Sequence, residues 1–326
     1  MISLGQIFKR YTGFLRRVKP AYMLNNWLNR RLLGPNRELY RKYGLRKSIL
    51  APISSADFKQ HNPDIPWIDR PDAMDRLAEQ PGYAALTGTQ KEKVSRFIQE
   101  GYCVLEGFFT PDRVDRLNQE IDSLIGSGKL DFNYTGRKIM ESYKVSQSVN
   151  SFFRDKAMID FLNFIMGKPV VPFHTINFIR GSEQRAHSDS VHMSTEPQGY
   201  LIATWTALED IGPDQGPLFY YPGSHRFSYV TTQDFDSGNS RWLLGKNPNQ
   251  KYEDRIEALI SEKGIQPRYF TARKGDVLIW HANLLHGGSA IARPESTRKS
   301  LVAHYFCEGV ICYHELTQRP ALLPHK

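Results

Sequence analysis

The fold is decided by residues 200–225, which read YLIATWTALEDIGPDQGPLFYYPGSH. Two runs rich in β-branched and aromatic residues, 200–208 and 217–221, are predicted strands. A Gly-Pro dipeptide separates them and a Pro-Gly dipeptide follows the second, and both dipeptides are typical of turns. Strands that follow one another this closely, without intervening helices, indicate an antiparallel sandwich or barrel.

The same pattern continues on the C-terminal side, whereas the N-terminal side is helical. Further short β-rich runs lie at 170–179, 268–272, 276–282 and 299–306. Before them, the spacing of apolar residues predicts helices at 90–100, 111–125 and 154–166, with one strand at 102–109. Helices first and strands later predict a mainly β protein of the α+β type, in which N-terminal helices brace a β-core.

Composition excludes several classes of protein. The chain has 326 residues, of which 40% are hydrophobic and 24% charged, and this rules out wholesale disorder, collagen and coiled coil. No apolar run approaches the roughly 18 residues that a membrane helix needs, and the first residues lack the apolar core of a secretory signal. Cys103, Cys307 and Cys312 form no CxxC pair and are odd in number, so we expect a reducing, cytoplasmic location.

The positive charge is concentrated in an N-terminal arm, residues 1–47. This segment holds twelve basic residues and one acid, so it carries more than the whole net charge of +9. Apolar residues recur there at three- and four-residue steps, and Pro20 is predicted to end a first helix. A basic amphipathic helix can make peripheral contact with an anionic membrane, or it can pack on its own catalytic domain. No nucleic-acid-binding motif is present, so no nucleic-acid partner is expected.

A candidate metal site begins with His187-Ser188-Asp189. In an extended segment, side chains two residues apart point the same way, so both can reach one ion. His286, just after the apolar strand 276–280, is the best third ligand. Two imidazoles and one carboxylate form the facial triad of non-haem Fe(II) oxygenases, which leaves coordination positions open. The alternative is that Asp189 caps a turn and the histidines lie on the surface.

A candidate carboxylate clamp follows the third ligand. Arg298 lies twelve residues after His286, at the start of a strand that would return beside it. Arginine binds a carboxylate in bidentate fashion, and Ser300, on the same face of the strand, can add a hydroxyl. An open metal site beside such a clamp suits a keto-acid co-substrate such as 2-oxoglutarate. The alternative is an ordinary surface arginine.

At this point the sequence resembles the phytanoyl-CoA dioxygenase family, with ectoine hydroxylase as a related branch. The resemblance runs from about residue 93 to residue 306. It rests on the order of these motifs: Gly101-Tyr102-Cys103-Val104-Leu105 with Phe108-Phe109, Ile176-Asn177-Phe178, His187-Ser188-Asp189, Trp205-Thr206-Ala207-Leu208-Glu209, Gly216-Pro217-Leu218, Pro222-Gly223-Ser224-His225, Gly275-Asp276-Val277-Leu278-Ile279, His286-Gly287 and Arg298-Lys299.

The resemblance implies a double-stranded β-helix (jelly-roll, cupin-like) oxygenase that uses Fe(II), 2-oxoglutarate and O₂. It implies that His187, Asp189 and His286 bind iron and that Arg298 binds the distal carboxylate of 2-oxoglutarate. By the same implication, Asn177 contacts 2-oxoglutarate and Trp205 forms part of the pocket wall.

The resemblance also implies a reaction, in which an unactivated C–H of a small-molecule or lipid-linked substrate is hydroxylated and succinate and CO₂ are released. Because Asp189 is present, we expect hydroxylation or a desaturation-type variant, not halogenation. One departure concerns the third ligand, since many relatives have His-Gly-Ser where this chain has His286-Gly287-Gly288. The hydroxyl expected there is either lost or supplied by Ser300.

Other functions stay open at this stage. The chain could be a non-catalytic jelly-roll protein that binds a metal or ligand, a zinc hydrolase or isomerase, or a membrane-surface module. The expected organisation is an arm (1–47), an irregular linker (48–88), an oxygenase domain (89–315) with an insertion or lid at 231–251, and a C-terminal tail (316–326). Residues 131–145, 190–193 and the insertion are expected to wall the substrate cavity.

Overall fold

The computed structural model describes residues 17–58, 64–133 and 136–322. Helices dominate the first half of this part of the chain and strands the second. The helices are α1 (Lys19–Leu28), α2 (Asn36–Lys42), α3 (Gly88–Glu100), α4 (Pro111–Gly126), α5 (Gln147–Phe153), α6 (Lys156–Met166) and α7 (Pro248–Lys263). The strands are β1 (Tyr102–Leu105), β2 (Lys138–Met140), β3 (Val170–Phe178), β4 (Ser194–Glu196), β5 (Leu201–Ala207), β6 (Leu218–Tyr220), β7 (Arg268–Phe270), β8 (Val277–His281), β9 (His286–Gly288), β10 (Ser300–Cys307), β11 (Ile311–His314) and β12 (Arg319–Pro320).

The strands form one large and two small antiparallel sheets. The large sheet has six strands in the order β1-β8-β5-β10-β3-β2. The small sheets have three strands each, in the orders β12-β11-β4 and β7-β6-β9. All six β-rich runs predicted from the sequence are strands here, and their antiparallel pairing agrees with the prediction from turn spacing.

Strand alternation divides the side chains of the large sheet between two cores. On β3 and β10, Ile176, Phe178 and Val302 pack with Trp205 and Leu278 on the inner face. Their neighbours in the sequence point outward, into a second core that they share with helices α3 to α6. Residues two apart on a strand share a face. The side chains that directly neighbour Ile176, Phe178 and Val302 on β3 and β10 therefore cannot reach the interior of the β-core.

The segments before α3 and after β10 wrap around this body. The described residues between 48 and 87 contain four short 3₁₀ helices and otherwise irregular backbone, and α2 packs beside β11. The buried Glu315 carboxylate ties three segments together. It accepts hydrogen bonds from the backbone N–H of Ser55 at 2.8 Å and of Thr232 at 3.0 Å, and from both hydroxyls. These bonds fasten the irregular segment and the 231–251 insertion to the C-terminal end.

Three sequence expectations need correction. Pro20 lies in the first turn of α1 instead of ending a helix, because a missing N–H costs nothing at that position. The 231–251 insertion runs into α7, a helix of 16 residues that the sequence reading missed. Residues 319–320, assigned to a tail, form β12 and pair with β11. The first helix expected in the arm falls mostly on residues 1–16, outside the described residues.

The described part of α1 is only partly buried. Tyr22 and Asn26 are buried, whereas Trp27 has 50% of its surface exposed. Phe8 and Phe14, whose burial would also help to decide whether the arm packs on the catalytic domain or contacts a membrane, lie outside the described residues. Within the described ranges, none of the helices has the length and apolar character required to cross a membrane.

Candidate active site

Three buried side chains converge where β9 meets the segment after β3. His187 and His286 form an antiparallel bridge, in which each backbone N–H donates to the carbonyl of the other at 2.9 Å. The Oδ1 atom of Asp189 lies 3.9 Å from Nε2 of His187 and 3.8 Å from Nε2 of His286. One ligand atom from each residue lies within 4.8 Å of the other two. This spacing leaves room for one ion with bonds of about 2.1 Å.

Neighbouring groups fix the orientation of all three side chains. The Nδ1–H of His187 donates to the Arg185 carbonyl, and that of His286 donates to the Leu284 carbonyl, both at 2.9 Å. The Nε2 lone pairs are therefore left for a metal. Trp280 donates its indole N–H to Oδ2 of Asp189 at 2.8 Å, which leaves Oδ1 toward the histidines. Such outer partners are characteristic of metal-binding histidines and carboxylates.

The electrostatics of this triad suit a divalent cation. Burial lowers the pKa of His187 well below its usual value, so the imidazole is neutral. Burial acts to raise the pKa of Asp189, but the adjacent histidines, led by His286, bring it well below its usual range. Two imidazoles and one carboxylate face one point, which is a donor set that fits Fe(II).

The turn after β6 explains how the sequence holds His286 in place. Ser224, in the Pro-Gly-Ser-His motif, accepts a hydrogen bond from the Leu285 N–H at 2.9 Å. Asn283 donates to the carbonyls of His225 and Phe227, at 3.1 and 2.7 Å. The chain that leads into β9 is thus held on both sides by hydrogen bonds to this turn.

The two glycines after His286 are required by close packing. A Cβ atom at Gly287 would collide with the Phe219 ring, and one at Gly288 would collide with the hydroxyl of Ser182. Ser182 lines the same cavity as the triad. Its hydroxyl therefore stands next to the space that a serine at position 288 would fill, which accounts for the departure from His-Gly-Ser.

Arg298 is buried at the end of the same cavity without an anionic partner. It is only 2% exposed, and its Nε and Nη1 atoms have no hydrogen-bond partner among the described residues. Its guanidinium carbon lies 5.7 Å from the ring centres of both Phe178 and Trp205. Burial lowers the pKa of Arg298 to about 10, so the group is still charged at neutral pH. A buried, unpaired cation is costly, and a bound carboxylate would offset that cost.

Glu209 positions this arginine through the backbone. Its two oxygens accept the Lys299 N–H at 2.6 Å and the Thr297 hydroxyl at 2.8 Å, on either side of Arg298. The Arg298 N–H donates to the Ile179 carbonyl at 2.9 Å. Sequence reasoning missed this role of Glu209, although the residue lies in the Trp-Thr-Ala-Leu-Glu motif.

The triad and Arg298 line one cavity of about 500 Å³. Trp205 also lines it, and its indole N–H has no hydrogen-bond partner among the described residues. The structure therefore brings together His187, Asp189, His286, Arg298 and Trp205 around one cavity. Ser300 shares the inward face of β10 with Val302, and its buried hydroxyl likewise has no partner in the described part of the chain, but Ser300 is not one of the residues that line the cavity.

Asn177 is the exception among the predicted site residues. Its neighbours Ile176 and Phe178 line the cavity, so alternation along β3 turns Asn177 to the opposite face. There its Oδ1 accepts a hydrogen bond from the buried Ser142 hydroxyl. The structure does not bring Asn177 to the cavity, and its contact with 2-oxoglutarate finds no geometric support.

Several cavity residues had no role in the sequence analysis. The wall includes Lys138, whose Nζ lies 5.9 Å from the Phe178 ring centre, and Arg319. Six of the ten histidines of the chain line this cavity: His174, His187, His192, His286, His304 and His314. Of the expected wall segments, 131–145, 190–193 and the insertion each contribute residues. The remaining histidines of the wall, such as His304 and His314, have no local motif, and only the concentration of histidines in the second half of the sequence pointed to them.

Comparison with known proteins identifies one family and a group of related folds. Residues 97–299, more than half of the chain, match the sequence model of the phytanoyl-CoA dioxygenase family. The chain is 24% identical over 285 residues to the ectoine dioxygenase of Halomonas elongata, a match that covers 81% of this chain and 83% of that protein. It is 21% identical over 241 residues to the human peroxisomal phytanoyl-CoA dioxygenase, covering 64% and 66% of the two chains.

Solved structures share the fold. EctD from S. alaskensis, determined with 2-oxoglutarate and 5-hydroxyectoine, superposes with a TM-score of 0.52 at 21% identity, over 68% of this chain and 76% of that one. The non-heme alpha ketoglutarate dependent carbocyclase SnoK superposes with a TM-score of 0.55 at 14% identity, over 73% and 88%. The predicted jelly-roll core with N-terminal helices is confirmed.

Proposed function

This chain belongs to the phytanoyl-CoA dioxygenase family, and we propose that it is an Fe(II)- and 2-oxoglutarate-dependent dioxygenase. Its reaction would hydroxylate an unactivated C–H of a small-molecule or lipid-linked substrate and release succinate and CO₂. One observation carries the proposal: an open two-histidine, one-carboxylate triad shares a cavity with a buried arginine that lacks an anion.

Each residue of the site has a specific task in this proposal. His187, Asp189 and His286 hold the iron, which supplies the activation of O₂ when it is bound. Arg298 holds the distal carboxylate of 2-oxoglutarate, and the hydroxyl of Ser300 and the indole N–H of Trp205 are available to the same ligand. Trp205 and Phe178 form apolar walls beside the guanidinium and exclude water from that contact.

Rival functions leave parts of the site without a task. A zinc hydrolase or isomerase would use the triad, but it would leave the buried positive charge of Arg298 unpaired. A non-catalytic binding protein would not need the open side of the triad. Asp189 also favours hydroxylation over halogenation, because its carboxylate occupies the position that a halide would take.

The experiment is a measurement of succinate formation from 2-oxoglutarate by mass spectrometry, with Fe(II) and O₂ supplied. Uncoupled turnover without the substrate is sufficient for a signal. Succinate should form with Fe(II) and should fall to background when Fe(II) is replaced by zinc or when oxygen is removed. Turnover with zinc, or no 2-oxoglutarate consumption with Fe(II), would contradict the proposed function.

A second proposal concerns the arm, which we infer touches an anionic membrane surface while the enzyme works. Several of its large apolar side chains are exposed, and Trp242 of the insertion lies beside them: the arm patch consists of Met23, Leu24, Trp27, Leu28 and Trp242, each 40–65% exposed. The Lys19 N–H donates to the Trp242 carbonyl at 2.9 Å, which joins the two segments. Arg30 and Arg241 stack on the two tryptophans at 4.9 and 5.0 Å.

The arm patch thus combines apolar area with a basic rim, and anionic lipid headgroups complement both. Basic residues near an anionic surface contribute about 1 kcal/mol each. We expect the full chain to sediment with phosphatidylserine vesicles at low salt and to dissociate at high salt. The double variant Leu24→Ser, Trp27→Ser should lose binding, whereas Tyr269→Ser, which changes an equally exposed aromatic residue elsewhere, should keep it. Equal binding of both variants would contradict this contact.

A further inference from the structure

The charges on the cavity wall do not balance once the proposed ligands are in place. Among the described residues, Lys138, Arg298 and Arg319 are the basic side chains on the wall, and Asp189 is its carboxylate. The two charges of Fe(II) and the two of the 2-oxoglutarate dianion cancel. About two positive charges therefore remain on the cavity wall, and an anionic group of the substrate would offset part of them.

Arg319 is a basic residue of the cavity wall that has no task in the proposed 2-oxoglutarate site. Its Nε has no hydrogen-bond partner, and it forms no ion pair within the described ranges. Its guanidinium carbon lies 3.6 Å from the ring centre of Tyr22 in α1. The ring supports one side of the guanidinium, so the group is held in place without being neutralised.

A line of imidazoles connects Arg319 to the triad. The ring centre of His192 lies 5.9 Å from that of His187 and 5.3 Å from that of His314. His314 is the register partner of Arg319 in the pairing of β11 with β12. His314 and His192 therefore lie between Arg319 and the metal ligand His187. Their rings offer hydrogen-bonding groups along this path.

The cavity wall also contains a group of apolar side chains. Phe173 and Phe306 pack with ring centres 4.6 Å apart, and Met140 and Met193 line the wall with them. Methionine and aromatic side chains adapt to an aliphatic or ring-containing body. The wall thus offers an apolar surface with one fixed cation at its edge.

We propose that the substrate is an amphipathic anion whose carboxylate or phosphate pairs with Arg319 while its apolar body crosses the Phe173–Phe306 wall to the iron. This inference rests on the proposed function, because it assigns the substrate class of the same site. The anionic group and the oxidised carbon then lie at different ends of the substrate. Tyr22 is a positioning residue, and through it the arm contributes to substrate recognition.

The test is calorimetric titration of the full chain loaded with Mn(II) and 2-oxoglutarate. The probes are decanoate, decyl phosphate, decanol and decylammonium, below their micellar concentrations. Both anions, or the one whose headgroup matches, should bind at least about tenfold more tightly than decanol and decylammonium. Arg319→Gln should remove that preference, and Arg319→Lys should restore part of it.

Controls separate this contact from general effects. Arg116→Gln removes an exposed arginine outside the cavity and should leave every affinity unchanged. Tyr22→Phe keeps the ring and should retain anion binding, whereas Tyr22→Leu should weaken it severalfold. A purely structural role for Tyr22 would instead lower the melting temperature of Tyr22→Leu without changing the preference for anions.

Two outcomes overturn the proposal: no detectable binding of either anion, or an anion preference that survives Arg319→Gln. 2-Oxoglutarate is titrated separately on the Mn(II)-loaded protein. Failure to bind it contradicts the proposed function together with this proposal, whereas failure to bind the anions overturns the proposal alone.

Discussion

The two ends of the cavity are built in different ways. The iron end consists of His187, Asp189, His286 and Arg298, which all lie within the stretch that matches the family. Backbone hydrogen bonds hold these residues, and their donor chemistry is that of iron and a carboxylate. The other end, which we call the Arg319 end, joins β11 and β12 to Tyr22 of α1, and Arg319 and Tyr22 lie outside that stretch.

This difference separates what the chemistry requires from what the substrate requires. The iron end must present the same donors whatever is oxidised, so its residues are set by coordination geometry. The Arg319 end must match one substrate, and it is assembled from peripheral segments that can change without disturbing the core. Variants at one end should therefore leave the function of the other end intact.

The largest effect is expected at the metal ligands. His187→Ala or His286→Ala removes one of the three metal ligands. The two ligands that remain should bind Fe(II) too weakly for catalysis, so Fe(II)-dependent succinate formation should fall to background. Calorimetric unfolding should still give one cooperative transition, because the strands around the site keep their pairing. Both variants should also retain decanoate binding. Wild-type turnover in either variant would contradict the metal assignment.

The next effect concerns the 2-oxoglutarate clamp. Losing one partner of a desolvated, hydrogen-bonded charge pair costs about 2–5 kcal/mol. Arg298→Ala should therefore raise the 2-oxoglutarate concentration for half-maximal turnover at least tenfold, and Arg298→Lys should raise it less, since the charge remains but the planar fork is lost. Titration of 2-oxoglutarate at fixed Fe(II) measures both. If Arg319→Gln produced the same shift and Arg298→Ala did not, the two ends would have been assigned in reverse.

A moderate effect is expected where Gly288 meets Ser182. Gly288→Ser places a side chain against the Ser182 hydroxyl, and overpacking of this kind costs about 1–3 kcal/mol in the free energy of unfolding. The double variant Ser182→Gly, Gly288→Ser removes the clash and moves the hydroxyl from position 182 to position 288. Denaturant unfolding should show that it is more stable than Gly288→Ser alone. A single variant as stable as the wild type would mean that the two residues are not in contact.

The last effect is confined to stability and leaves both ends of the cavity unchanged, because it concerns a histidine that packs elsewhere. His225 is buried outside the cavity, where its Nε2–H donates to the Ile98 carbonyl at 3.2 Å. Burial lowers the pKa of His225 to about 3, whereas an unfolded histidine titrates near 6.5. Because the folded pKa is the lower one, its stability contribution is fully present above about pH 6.5 and is lost as the pH falls toward 3.

His225→Gln should therefore flatten the pH dependence of the free energy of unfolding between pH 6 and 4. The expected change in slope is on the order of 1.4 kcal/mol per pH unit. Urea unfolding at several pH values measures it, with 2-oxoglutarate binding at neutral pH as the control that should stay constant. An unchanged slope would mean that His225 is protonated in the folded protein.

The iron end could be predicted from the sequence because its signals are local. His187 and Asp189 are two residues apart, His286 ends an apolar strand, and Arg298 opens the next one. Asn177 shows the limit of that reasoning. A motif places a residue on a strand, but a shift of one residue changes the face, and in this structure the inner face of β3 belongs to Ile176 and Phe178.

The Arg319 end could not be predicted in the same way. Arg319 was assigned to a tail, because β12 is only two residues long and its partner β11 is held in turn by β4, which lies more than 100 positions earlier in the sequence. Its contact with Tyr22 joins residues nearly 300 positions apart, and no local pattern encodes it. Helix α7 was missed because Pro248, which begins it, follows a polar, turn-rich stretch.

The most direct test is a crystal structure of the full chain grown without oxygen in the presence of Mn(II) and 2-oxoglutarate. We expect one ion between Nε2 of His187, Oδ1 of Asp189 and Nε2 of His286. We expect the distal carboxylate of 2-oxoglutarate on Arg298, with the cavity toward Arg319 left for the substrate. An ion bound elsewhere, or 2-oxoglutarate with its distal carboxylate on Arg319, would contradict the division of the cavity into these two ends.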